Sequence, residues 1–106
     1  MTEYRDHLHL LPPHMHNGIV GWIEHAQPVG HFLTALLSND LMEAFGRADD
    51  KNIASMRQWV IFLYNYAPRG CYGSPQNVAA WRAAGGQEGI FKRAQAVEPE
   101  AREQPT

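Results

Sequence analysis

The segment from Asp50 to Ala67 constrains this chain most, because it has the spacing of a helix with apolar residues on two neighbouring faces. The first face repeats at three- and four-residue steps and consists of Ile53, Met56, Val60, Leu63 and Ala67. The second face keeps the same spacing and consists of Trp59, Phe62 and Tyr66. A helix that is apolar over more than half of its circumference must bury more than one face. We therefore expect the second face to cover either another helix of the chain or a partner.

Composition indicates a single globular domain with nearly balanced charge. The chain has 106 residues, of which 44% are hydrophobic, and this is enough for one core. Its net charge is −2, and its basic and acidic residues are dispersed along the sequence. Proteins that bind nucleic acid usually present a basic face, whereas a mimic of DNA needs a dense acidic face. Neither pattern is present, so a nucleic-acid partner is not expected.

Cysteine usage and the N-terminal residues predict a cytoplasmic protein. Cys71 is the only cysteine, which excludes an internal disulfide and the usual cysteine-based zinc sites. The first residues lack the basic and then apolar pattern of a secretory signal. The longest apolar run, from Trp59 to Tyr64, is too short to cross a bilayer, so no membrane contact is expected.

The first half of the chain predicts an N-terminal arm followed by two helices. Residues 1–11 have the character of an extended arm whose leucines pack against the core, and two prolines end this arm. The first helix begins near Met15, and a turn over residues 27–30 separates it from the second. Asp40 either lies within the second helix or caps a new helix with Glu43 at the third position. Of these two alternatives we favour one continuous helix with a bend.

The second half predicts two further helices joined by a rigid loop. The third helix is capped by Asp49 or Asp50 and is terminated by Pro68. The fourth helix begins at Ser74, where an N-capping residue precedes a proline, and it ends at the glycine pair 85–86. In both helices a capping residue marks the start, and a proline or a glycine pair marks the end. Local sequence alone therefore predicts where each helix begins and ends.

The C-terminal residues predict little further structure. Residues 88–97 could add one amphipathic turn, and residues 98–106 form a polar tail that we expect to be disordered. The predicted fold is therefore all-α: a compact bundle of about four helices in one domain, residues 1–97, with an extended N-terminal arm and a disordered C-terminal tail.

The histidines do not predict a metal site. His7 and His9 form one pair, and His14 and His16 form another beyond the two prolines. These spacings match no structural zinc site, and residues 14 and 16 of a helix point in nearly opposite directions. We expect no metal or other cofactor, and a weak adventitious metal site is the alternative.

No arrangement of residues predicts catalysis. Arg69 lies close to Cys71 in sequence and could lower the pKa of its thiol, but no histidine is placed beside that thiol. Glu43 and Arg47 have the spacing of an ion pair on one helix, which explains them without a substrate. We therefore expect a protein that is not an enzyme.

Aromatic and arginine residues in and after the third helix have the composition of a protein interface. The predicted partner-binding residues are Arg57, Trp59, Phe62, Tyr66, Arg69 and Tyr72. In a second interpretation, Trp59 and Phe62 simply pack under the fourth helix, against Val78 and Trp81. In a third, the same aromatic stripe is the seam of a homodimer.

Several short motifs lie along residues 8–86. They are LPPHM at 11–15, GHFLTA at 30–35, SNDL at 38–41, GRAD at 46–49, FLYN at 62–65, AP at 67–68 and GSP at 73–75, followed by Trp81. In these motifs the chain resembles a family of small uncharacterised proteins of bacteriophages and prophages. The motifs are structural, and the resemblance implies no catalytic residue. It implies a small accessory protein that binds and blocks a host protein, and such host proteins include defence nucleases such as CRISPR effectors.

The expected function is that of a non-enzymatic phage-derived protein that binds and inhibits or modulates a host protein, for example as an anti-CRISPR protein. One alternative is a homodimeric accessory phage protein in nucleic-acid metabolism or regulation. Another is a small metal- or thiol-dependent enzyme that uses the histidines or Cys71.

Overall fold

Helices form the regular structure of the chain. A computed structural model describes the backbone of residues 3–103 and the side chains of residues 3–95, and no strand occurs in this part. The α-helices are α1 His16–His25, α2 His31–Leu37, α3 Leu41–Arg47, α4 Asp50–Ala54, α5 Met56–Asn65, α6 Pro75–Ala84 and α7 Gly86–Glu103. Short 3-10 helices occur at Tyr4–Leu10, Pro13–Met15 and Arg69–Cys71. The all-α prediction is confirmed, but the described helices outnumber the four that the sequence predicts.

The second predicted helix is in fact two helices, α2 and α3. Asn39 adopts the left-handed conformation with φ of 63° and reverses the chain between them. The carboxylate of Asp40 accepts a hydrogen bond from the backbone N–H of Glu43 at 3.3 Å. An N-cap of this kind satisfies a donor that would otherwise lack a partner at the start of a helix. The favoured single helix is therefore wrong, because Asp40 begins a new one.

The third predicted helix is also divided. Asp49 caps α4 by accepting a hydrogen bond from the backbone N–H of Asn52 at 2.8 Å. Ser55 then leaves helical geometry, with φ of −109° and ψ of 15°, and α5 starts at the next residue. Ile53 and Val60 consequently lie on different helices, so the apolar stripe that joins them in sequence is not one continuous face.

The N-terminal arm is not extended. Residues Tyr4–Leu10 form a 3-10 helix, and its leucines pack against the core as expected, with Leu11 buried beyond it. Tyr4 holds this helix against α1, because its hydroxyl donates to a carboxylate oxygen of Glu24 at 2.5 Å. Burial, together with this hydrogen bond, raises the pKa of Tyr4 and keeps the hydroxyl protonated as a donor.

Helices α6 and α7 meet at a tight glycine turn that also fixes α7 against α1. Ser74 caps α6 as predicted, accepting from the backbone N–H of Asn77 at 3.0 Å. Gly85 and Gly86 both adopt positive φ, 83° and 75°. A Cβ atom on Gly86 would lie 2.7 Å from the backbone of Glu24, so only glycine allows this approach.

The C-terminal segment is more helical than the sequence predicts. Helix α7 continues through the predicted amphipathic turn to Glu103, so the first part of the predicted tail is helical in its backbone. Residues 104–106 of that tail lie outside the described residues. Within the described part of the chain, no helix combines the length and the apolar character needed to cross a membrane.

The core is built around three tryptophans whose indole N–H groups all have acceptors. Trp22 donates to the carbonyl of Cys71 at 3.0 Å, and Trp81 donates to the carbonyl of Trp22 at 2.9 Å. Trp59 donates to the side-chain oxygen of Asn52 at 3.0 Å. A buried N–H without an acceptor is costly, so these bonds allow large aromatic side chains to occupy the centre of the protein.

Candidate protein-interaction surface

Trp59 and Phe62, two of the predicted partner-binding residues, lie in the core. Both are 0% exposed. Trp59 contacts Phe32 of α2 edge to face, with ring centroids 5.9 Å apart. Phe62 packs in the same manner on Tyr4, at 6.4 Å. The assignment of these two residues to a surface is therefore corrected. They are core residues, although the aromatic partners found for them lie on α2 and the N-terminal 3-10 helix, not on α6.

The buried face of α5 is rotated relative to the stripe that the sequence favours. Met56, Trp59, Phe62 and Leu63 are its buried residues. Burying the larger aromatic surfaces removes more apolar area from water, so the core is centred on Trp59. Val60, which the spacing assigns to the core, falls at the edge of this face and is 57% exposed.

The other four predicted residues differ from one another in their exposure and in their contacts. Tyr66 is half-buried, and its ring stacks on His7 with 3.5 Å between ring centroids and 4° between planes. Tyr72 is half-buried, and burial raises its pKa. Arg57 and Arg69 are exposed. Of the predicted set, Arg57 is the one that lines an apolar groove.

This groove lies between α3 and α5, and Leu36 in the last turn of α2 also lines it. Its cavity measures about 300 Å³. Its apolar lining consists of Leu36, Leu41, Ala44, Phe45, Met56 and Val60, and its polar lining consists of Asn39, Asp40 and Arg57. We call it the α3–α5 groove. Leu41 is 65% exposed and Phe45 is 44% exposed, so large apolar side chains flank the cavity at the surface.

Asp40 and Arg57, the charged residues of the α3–α5 groove, differ in the hydrogen bonds and ion pairs that they form. Asp40 caps α3 through Glu43, as described above. Arg57 takes part in none of the ion pairs of the described residues, in contrast to Arg47, which lies 3.7 Å from Glu43. The groove therefore combines an apolar lining with the carboxylate of Asp40, which caps α3, and with the exposed Arg57 cation, which forms no ion pair among the described residues.

Sequence reasoning missed Leu41, Met42 and Phe45 as surface residues. In one continuous second helix, Leu41 would share an apolar face with Leu33 and Leu37. The break at Asp40 instead turns α3 so that Leu41, Met42 and Phe45 face solvent. A weak signal exists in the sequence, because three large apolar residues follow a capping aspartate within five positions. Leu41 and Phe45, together with Val60 across the groove, make an exposed apolar area of the kind that marks interaction sites.

Helix α7 carries a second exposed apolar patch. Ile90 and Phe91 are exposed, and with Ala94 they line a shallow surface beside Glu24 and Glu88. Glu88 also contacts His25 of α1, with 2.7 Å between Oε1 and Nδ1. This patch lies on the helix that the glycine turn fixes to α1, and none of its lining residues lines the α3–α5 groove.

Cys71 has the surroundings of a structural thiol. It is fully buried in the 3-10 helix Arg69–Cys71, and burial raises the pKa of its thiol to about 12. The thiolate is the nucleophilic form of cysteine, and it is scarce at neutral pH when the pKa is this high. The predicted proximity of Arg69 does not lower the pKa, because Arg69 is exposed and the thiol is buried.

His14 and His16, which form one of the predicted pairs, contact different residues. His14 lies 3.0 Å from a carboxylate oxygen of Asp49, and His16 contacts the carbonyl oxygen of Leu11 at 3.0 Å. Among the described residues, no three histidine, cysteine or acidic side chains lie close enough together to hold a metal ion.

Comparisons of the chain with protein-family models, with curated proteins and with solved structures find no match.

Proposed function

We propose that this chain is a small non-enzymatic binding protein that attaches to another protein through the α3–α5 groove. The observation that carries this proposal is the groove itself, in which exposed Leu41, Phe45 and Val60 flank an apolar cavity. Large exposed apolar residues of this kind are unfavourable in water and are typical of surfaces that a partner covers.

We propose the class of partner from the resemblance of the sequence to small phage and prophage proteins, an argument that is independent of the groove. Small accessory proteins of phages and prophages often act by binding and blocking a host protein, and we propose that this chain does the same. A host defence protein, such as a CRISPR effector, is the class of target that we propose. Inhibition would result from occupancy of the host surface and would require no catalytic residue in this chain.

The test is capture of a defined host complex by the tagged protein, followed by disruption with a groove variant. Val60→Glu places a charge in the α3–α5 groove at an exposed position. Ile90→Glu is the matched control, because it places the same charge at an exposed apolar residue of the α7 patch. We expect Val60→Glu to abolish the complex and Ile90→Glu to retain it. A complex that survives Val60→Glu and Phe45→Ser would contradict the proposal.

A homodimer is the second candidate function, and the α7 patch favours it. Ile90 and Phe91 are exposed on a long helix that presents them away from the core, as the seam of a symmetric dimer requires. In this case the working species is a dimer, and the Ile90→Glu variant is the disrupted form. Sedimentation equilibrium at several protein concentrations separates the two candidates, since a monomer throughout the micromolar range excludes the dimer.

A further inference from the structure

We infer that the α3–α5 groove receives an amphipathic helix of a partner protein that places a carboxylate against Arg57. This inference rests on the proposed function, because it names the element of the partner that enters the same groove.

The backbone around the groove has no sheet edge to which an extended peptide could add. A strand is recognised by adding to the free edge of a sheet, and the described residues contain no strand. The N–H groups of the two residues before α3, and that of Glu43 within it, already have acceptors. Asn39 donates to the carbonyl of Leu36, Asp40 donates to that of Ala35 at 2.9 Å, and Glu43 donates to the side chain of Asp40. A helix satisfies its own backbone groups, so it can enter an apolar groove without needing such partners.

The shape of the groove favours an elongated partner over a small molecule. A small ligand is usually held where most of its surface becomes buried. Here the walls are themselves exposed, with Leu41 at 65% and Val60 at 57% on opposite helices. A helix with apolar residues at positions i, i+3, i+4 and i+7 can insert them between two helices and cover the walls at the same time.

The charge of Arg57 indicates which type of residue should lie beside the apolar stripe of the partner helix. Arg57 lines the groove beside Val60, near the N-terminal end of α5, and forms no ion pair within the described residues. Desolvation of an unpaired guanidinium by an apolar partner is unfavourable, whereas a carboxylate gives it a charge-assisted hydrogen bond. The partner helix is therefore expected to carry Asp or Glu beside its apolar stripe.

The test is a selection from two displayed peptide libraries on three forms of the folded protein. One library has apolar residues at the helical positions i, i+3, i+4 and i+7, and the other has apolar residues that alternate with proline-containing extended segments. The baits are the wild-type protein, Arg57→Glu and the control Arg69→Glu, which changes an exposed arginine that does not line the groove. Glutamate at the first turn of α5 is compatible with the helix dipole, so Arg57→Glu should fold.

We expect the wild-type protein to select helical peptides with an acidic residue at one flanking position. A peptide with Glu there should bind roughly three- to tenfold more tightly than its Lys counterpart, as expected of a partly exposed charge pair. Arg57→Glu should reverse this preference, and Arg69→Glu should leave it unchanged. Selection of extended peptides, selection of no peptide, or the same charge preference on all three baits would overturn the inference.

The same variants distinguish failure of this inference from failure of the proposed function. If Val60→Glu abolishes a host complex and Arg57→Glu leaves its affinity unchanged, the groove binds the host protein but the inferred charge pairing is wrong. If neither variant weakens the complex, the proposed function itself fails. If sedimentation shows self-association that Val60→Glu removes, the occupant is a second copy of this chain and the inference is overturned.

Discussion

The indole N–H of Trp81 donates to the backbone carbonyl of Trp22 at 2.9 Å, so α6 is joined to α1 by a buried hydrogen bond across 59 positions of sequence. Trp22 in turn donates to the carbonyl of Cys71, which links α1 to the 3-10 helix before α6. The two bonds form a chain through the core, and each fixes a large side chain in one orientation. The core is therefore held by specific polar contacts as well as by apolar packing.

Asn52 should be necessary for stability because it is the acceptor for Trp59. It is 3% exposed, and Asn52→Ala would leave the buried indole N–H without a partner. We expect the free energy of unfolding to fall by about 1–3 kcal/mol, the cost of an unsatisfied buried donor. Urea denaturation measures this change. Asn65→Ala, which removes an exposed side chain from α5, is the control and should have a much smaller effect.

Two glycine-to-alanine substitutions should have opposite signs. Gly86→Ala combines a φ of 75° with a Cβ that would lie 2.7 Å from the backbone of Glu24. It should destabilise the protein by about 1–3 kcal/mol and loosen α7 from α1. Gly46→Ala lies in α3 with nothing within 4 Å of the added Cβ, and it should stabilise by about 0.5–1 kcal/mol.

Thermal unfolding of the two glycine variants gives the sign directly. Amide hydrogen exchange in α7 then shows whether Gly86→Ala acts at the contact with α1. If Gly86→Ala melted at the wild-type temperature with unchanged exchange in α7, the close approach of the two helices would not be required.

Stability should fall in alkaline solution through Cys71. Burial raises its pKa from the ordinary value of 9.0 to about 12, so between these values the unfolded chain loses the thiol proton while the folded chain keeps it. Loss of a proton from the unfolded state alone favours unfolding. The contribution of this thiol to stability is thus complete below about pH 9 and is lost as the pH rises toward 12.

Denaturation of the wild-type protein and of Cys71→Ala at pH 7 and pH 10.5 isolates this contribution. The buried Tyr4 also titrates in alkaline solution, and the comparison removes its effect because both proteins contain it. The wild-type protein should lose more stability than the variant over this interval. Equal losses would show that the thiol ionises in the folded protein as readily as in the unfolded one.

Trp59→Ala and Val60→Glu change adjacent positions of α5 and should differ in their effect on stability, because Trp59 lies in the core and Val60 lies at the surface. Trp59 is fully buried, and its replacement by alanine should cost about 3–5 kcal/mol through lost packing and a cavity. Val60 is exposed, and Val60→Glu should change stability by less than about 0.5 kcal/mol. Loss of partner binding in a Trp59 variant would therefore reflect unfolding, and only the Val60 variant tests the surface.

Circular dichroism with thermal melting decides this point before any binding experiment. A Val60→Glu protein that melts well below the wild type would place Val60 in a packed environment. That result would contradict the exposed position of Val60 and, with it, the α3–α5 groove as a docking surface.

Local signals in the sequence determined the helical class of this protein and several of its boundaries. Ser74 followed by proline marks the start of α6, and the glycine pair marks its end, because capping and left-handed geometry depend on a few adjacent residues. Asp40 carries the same kind of signal, but helical periodicity continues across it. The choice between a continuous helix and a break depended on which was compatible with the packing of α2 and α3.

Tertiary structure alone decided which apolar residues are buried and which are exposed. Trp59 and Val60 are adjacent, and both belong to stripes with helical spacing, so periodicity cannot separate core from surface on a helix that is apolar over most of its circumference. Trp59 and Phe62 are buried because Asn52, Phe32 and Tyr4 contact them. These three residues belong to other helices than α5, so the sequence of α5 alone does not reveal the contacts. The α3–α5 groove has the same origin, since its lining joins the buried residues Ala44 and Met56 to the exposed residues Leu41, Phe45 and Val60.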